Sequence, residues 1–173
     1  MRRKIFVILF LGLVALLLVS TVFKPFFPEA IAPNLMVMIL VYLAFFEASA
    51  LGAFLAFMLG LELDLCSAGL LGPWAGVYVL VFLSLYVTSR RIFVESFLVL
   101  MVATFVASFT TTVFHHCFLM IVRERAILEA GVISDALLEA FITALIAPFL
   151  IRLFKRIPFT RKSGQEQLSF LRS

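Results

Sequence analysis

Charged side chains are scarce in this sequence, 14% of 173 residues, and the scarcity excludes a water-soluble globular enzyme. A soluble fold of this size needs a polar exterior, and Lys+Arg 14 with Asp+Glu 10, gathered toward chain ends and loops, cannot cover one. Cysteine is scarcer still. Cys66 and Cys117 lie far apart with no Cys-x-x-Cys, so the sequence offers neither a disulfide framework nor a zinc site. Nucleophile-base-acid spacings, glycine-rich phosphate loops and Walker patterns are also lacking, so the chain reads as no enzyme and as having no cofactor.

What the sequence does contain is apolar: 64% hydrophobic residues and 21 phenylalanines. A hydrocarbon core about 30 Å thick is crossed by roughly 20 helical residues, so five or six spans consume most of the chain. Arg2-Arg3-Lys4 precedes an apolar run from Ile5 to Phe23 that is too long for a signal peptide. The small-x-small candidate Ala30-Ile31-Ala32 lies past Lys24 and is followed by Pro33, so the run reads as an uncleaved first span.

Spans fall near residues 5–23, 34–46, 48–63, 71–89, 97–122 and 135–151. Only Glu47 separates the second and third, which leaves a single helix from Asn34 to Leu61 as the alternative. Charge chooses between them. Six spans with the N-terminus inside put eleven basic residues in the cytoplasm: Arg2, Arg3, Lys4, Arg90, Arg91, Arg152, Lys155, Arg156, Arg161, Lys162 and Arg172. Three, Lys24, Arg123 and Arg125, then lie outside. Five spans give five inside against nine outside, so the positive-inside rule favours six, with both termini cytoplasmic.

The expected fold is therefore an all-α integral membrane protein, a six-helix transmembrane domain over residues 1–157 with a short basic, mobile tail at 158–173. The net charge of +4 sits where membrane lipids carry anionic headgroups, and is no nucleic-acid signal. Arg152-Leu-Phe-Lys155-Arg156 reads as the basic end of the last helix, stopped by Pro158.

The third span carries Ala48, Gly52, Ala56 and Gly60 at intervals of four, continued by Asp64. Small residues so spaced let another helix approach closely, either one from this chain or one from a partner. Asp64, with Glu62, precedes a turn-rich stretch, Cys66-Ser-Ala-Gly69-Leu-Leu-Gly72-Pro73, and Pro73 suits a helix's first turn. Asp64 could accept N–H groups there or hold a partner's cation.

The fifth span places Thr104, Ser108, Thr111 and His115 on one helical face, which should point into protein. His115 lies seven residues from the outer end, about 10 Å deep, where an ionisable group needs a partner. Asp64 and Glu139 stand at comparable depth and complete a candidate outer polar pocket. His115, His116 and Cys117 are consecutive, a poor spacing for helical metal ligands, and no metal site is expected. The hairpin from Arg123 to Ser134 could touch a partner's ectodomain.

Pro33-Asn-Leu-Met-Val-Met-Ile-Leu-Val-Tyr42-Leu-Ala, then Gly52 to Gly60-Leu-Glu-Leu-Asp64-Leu-Cys-Ser67 and Leu71-Gly72, resembles MreD, the bacterial rod shape-determining family. The Gly60-x-x-x-Asp64 step, Ser67 and the later Leu-Gly are the most specific elements; the family often has an acidic residue where Asn34 stands. The resemblance implies a non-enzymatic component of the cell-elongation machinery in the bacterial cytoplasmic membrane. It would bind an MreC-like protein and work with MreB, the RodA glycosyltransferase and its transpeptidase. It also implies a fold similar to the substrate-binding subunits of ECF-type vitamin transporters, and hence an alternative function, a small-molecule-binding transporter subunit.

Overall fold

The computed structural model describes residues 2–23, 32–47, 49–67, 71–89, 96–123 and 130–156. Among them the chain is all-helical: α1 (Arg2–Leu18, ending in a π-helical turn, Val19–Phe23), α2 (Leu35–Phe46), α3 (Ala50–Cys66), α4 (Pro73–Ser89), α5 (Phe97–Arg123) and α6 (Ala130–Arg156). Ala48, Lys24, the Arg90-Arg91 pair, Arg125 and the tail at 158–173 lie outside the described residues, as do the side chains of Arg2, Arg3, Lys4, Arg123, Lys155 and Arg156.

Two helices meet the length and apolarity needed to cross a bilayer, over Phe97–Phe118 and Gly131–Phe154. The others are shorter. The 12 residues of α2 extend only about 18 Å. α6 is longer than the sequence-based span and continues through Pro148, which sits inside the helix. Membrane helices tolerate such a proline where neighbouring helices or local helical adjustments re-satisfy the carbonyl it frees.

The second and third apolar segments are separate helices, not one from Asn34 to Leu61. At the end of α2 the Glu47 N–H donates to the Leu43 carbonyl, and Ser49, in extended backbone, begins the next helix by accepting the Gly52 N–H at 3.4 Å. The two then run antiparallel. Glu47 and Gly52 are adjacent at one end, while Leu35, Met36 and Leu63 line one cavity at the other. The end of α1 (Leu16), the start of α4 (Trp74), the later part of α5 (His115) and the early part of α6 (Glu139) border the same cavity, so successive helices alternate in direction.

α2 is the axis. It packs against each of the other five helices, and its residues from Met36 to Ala44 are all buried. Its neighbours show the opposite pattern on their outer faces, where large apolar side chains are bare: Phe6 is 72% exposed, Leu98 69% and Phe149 68%. The buried polar residues, among them Thr104, Ser108, Thr111 and Thr143, are inside. Thr104 and Thr111 each donate at 2.7 Å to the carbonyl four residues earlier, which satisfies their hydroxyls within α5. Polar groups inward and hydrocarbon outward is the arrangement of a chain whose solvent is lipid.

Candidate functional site

The small-residue face of α3 is occupied by α4 of the same chain. A Cβ built on Gly60 would collide with the Ala75 Cα and stand 2.7 Å from both the Ala75 nitrogen and the Trp74 carbonyl oxygen. One on Gly52 would strike the Glu47 carbonyl and come within 2.9 Å of the Phe82 ring. Ala56, between them, is fully buried. The glycines are there because backbone meets backbone, and the face is not open to an incoming helix.

Asp64 completes this crossing. It is 2% exposed, and its carboxylate accepts three backbone N–H groups: Gly72 at 2.9 Å and Ala75 at 3.1 Å on Oδ2, Trp74 at 3.1 Å on Oδ1. The last two belong to the first turn of α4, where amides have no helical acceptor and the helix dipole favours negative charge. Gly72, with φ +117°, supplies the left-handed bend that aims its own N–H back at Asp64, and Pro73 opens the helix where a missing N–H costs nothing.

By fixing α4's first turn, Asp64 also fixes Trp74. The indole stacks on the His115 imidazole, with ring centroids 3.6 Å apart and planes 14° from parallel. This pair forms one wall of a cavity of about 430 Å³, which Asp64 itself does not line. Of the three residues expected to converge, His115 and Glu139 face the cavity, and Asp64 stands behind it as the support of Trp74.

Three residues that the sequence did not single out for this site complete the polar wall. Asn34 caps α2, its Oδ1 accepting the Val37 N–H at 3.1 Å, while its Nδ2 donates to Glu139 Oε1 at 2.9 Å. Its backbone N–H donates to Thr143 Oγ1 at 3.0 Å, a second tie to α6. The Thr112 hydroxyl is shared between the Ser108 carbonyl at 3.2 Å and Glu139 Oε2 at 3.3 Å. His116 Nδ1 lies 2.9 Å from the Thr112 carbonyl, a contact that requires the proton on that nitrogen. The available signal for Asn34 was its position: an N-cap residue immediately after Pro33 and before an apolar run. Among the described residues no group of three His, Cys, Asp or Glu side chains could hold a metal ion.

The opposite end is aromatic. Tyr42 contacts Phe46 and Phe154 with centroids 5.3 Å and 5.7 Å away, and the Arg152 guanidinium lies 5.6 Å from the centre of the Phe97 ring. A cation over an aromatic face at the rim of an apolar bundle suits the boundary between hydrocarbon and water.

No curated protein and no solved structure matched the chain, so the expected likeness to ECF-type vitamin subunits, and the transporter function drawn from it, are without support. The family described as rod shape-determining protein MreD matches residues 1–157, which takes in all six helices. The chain therefore belongs to the MreD family of rod shape-determining membrane proteins.

Proposed function

We propose that this protein is a membrane scaffold of the cell-elongation complex. It binds an MreC-like partner and helps to couple MreB to peptidoglycan synthesis by RodA and its transpeptidase. In this reading all six alternating helices traverse the cytoplasmic membrane with both termini inside, and the chain performs no chemistry of its own. The family match over residues 1–157 carries the proposal. It is supported by the bare apolar exterior and by the eleven-to-three division of basic residues.

Packing narrows where a partner would sit. With the Gly52-Ala56-Gly60 face filled by α4, a partner's membrane helix would lie on the periphery, where α1, α4, α5, α6 and the opposite face of α3 expose apolar side chains. Depletion of the protein in a rod-shaped host should give rounded cells with impaired sidewall synthesis, and an MreC-like protein should co-purify with the full chain from native membranes. Normal shape and normal sidewall insertion after depletion would overturn the proposal.

A further inference from the structure

The cavity, bordered by residues of all six described helices, has two chemically distinct halves. One wall is apolar, with Leu16 and Val19 from α1, Leu35 and Met36 from α2, and Leu63 from α3. The other holds Asn34, Thr112, His115, His116 and Glu139, and among the described residues no lysine or arginine lines it. At about 430 Å³ it is within the size range of small-ligand pockets.

The polar half is centred on a carboxylate with acceptor positions to spare. A carboxylate has about four lone-pair positions, and Glu139 receives one full hydrogen bond from Asn34 and a long, shared one from Thr112. His115 Nδ1 is buried without a hydrogen-bond partner among the described residues, its ring held flat against Trp74. His116, with Nδ1 committed to the Thr112 carbonyl, presents Nε2 as a further acceptor when neutral. Buried acceptors left unpaired are costly, and ionisable groups at membrane depth mark functional sites. Of the donors within the wall, the Thr112 hydroxyl and one of the two Asn34 amide N–H groups are already engaged.

We infer that this cavity binds the primary ammonium group of an amphiphile, with Glu139 accepting its N–H donors and the Leu16-Val19-Leu35-Met36 wall covering the carbon chain next to it. A primary ammonium brings three donors and a positive charge to a wall that has acceptors to spare. It can come from an aminophospholipid headgroup or from a soluble amine. The inference goes beyond the rod-complex reading and does not depend on it, since it requires only the folded chain in a bilayer or detergent.

The test uses the full-length protein in detergent, with bound lipid read by native mass spectrometry and unfolding by thermal shift. Phosphatidylethanolamine, phosphatidylcholine and phosphatidylglycerol of matched chains are offered in equal amounts, and free ethanolamine is titrated separately. Phosphatidylethanolamine should be retained about tenfold over the other two, since phosphatidylcholine keeps the charge but has no N–H donor. Glu139→Gln should abolish the preference while leaving the bond from Asn34 possible. If free ethanolamine raises the unfolding temperature and the phospholipid does not, the soluble amine is the ligand. Equal retention of the three lipids with no response to ethanolamine would overturn the inference, without bearing on whether cells depleted of the protein lose their shape. The lipid comparison needs no variant, so a misfolded Glu139→Gln protein does not prevent a decision.

Discussion

Asp64 shows how much one side chain can organise when it is buried with all its hydrogen bonds made. Asparagine at this position has one acceptor oxygen for three N–H groups, and whichever way it turns its own NH₂ opposes a backbone donor. Asp64→Asn should lower stability by about 1–3 kcal/mol in a detergent melt. Trp74 is the single tryptophan, so its fluorescence should shift as the stack on His115 loosens; Leu71→Ala, at an exposed position, should change neither reading. A second pair of variants differs in sign. Gly60→Ala drives a methyl group into the first turn of α4 and should cost about 1–3 kcal/mol. Gly76→Ala, inside α4 with open space around its Cβ position, should gain up to about 1 kcal/mol from helix propensity, read in the same melts. The spacing of Gly52, Gly60 and Asp64 was legible because small residues at intervals of four and an acid before a turn have few uses in a helix. Which helix filled the face was not legible, since a stripe has no address.

At the level of helices, α2 separates what hydropathy can read from what it cannot. Its apolarity was plain in the sequence, and the break near Glu47 was favoured over one continuous helix only by the charge count, but its place at the centre of the bundle was not legible. A helix apolar on every side reads the same whether lipid or protein surrounds it. Burial distinguishes the two. Leu40→Ala on α2 leaves a hole among five packed helices and should cost about 2–5 kcal/mol. Leu83→Ala, on a bare face of α4, should cost no more than about 0.5 kcal/mol, because lipid or detergent fills the space. Comparable losses at the two positions, measured by thermal unfolding in detergent, would contradict a central α2. The polar wall was half legible for a similar reason. His115 and Glu139 stood out as ionisable groups at matching depth, whereas Asn34 and Thr112 are ordinary residues whose role comes only from what faces them.

For the molecule as a whole, the proposed topology, drawn from the alternation of six helices and the distribution of basic residues, predicts an orientation. In that proposal the end of the bundle bearing the Asn34-Glu139 contact faces outward, and Cys66, exposed at the end of α3, belongs to that end. In a Cys117→Ser background a membrane-impermeant maleimide should label Cys66 in intact spheroplasts. Labelling only after permeabilisation would reverse the orientation. The order of assembly follows from α2 as well. An 18 Å helix is too short to hold a transmembrane position by partitioning alone, so α2 should enter the bilayer paired with α3 as a helical hairpin. The Asn34 end of α2 is then secured late, because the groups that receive the Asn34 amide and backbone N–H, Glu139 and Thr143, are on α6, which emerges after the other five described helices. Until α6 arrives the nascent bundle has an unanchored centre, and a ribosome stalled ahead of it should leave α2 open to proteolysis that the finished protein resists.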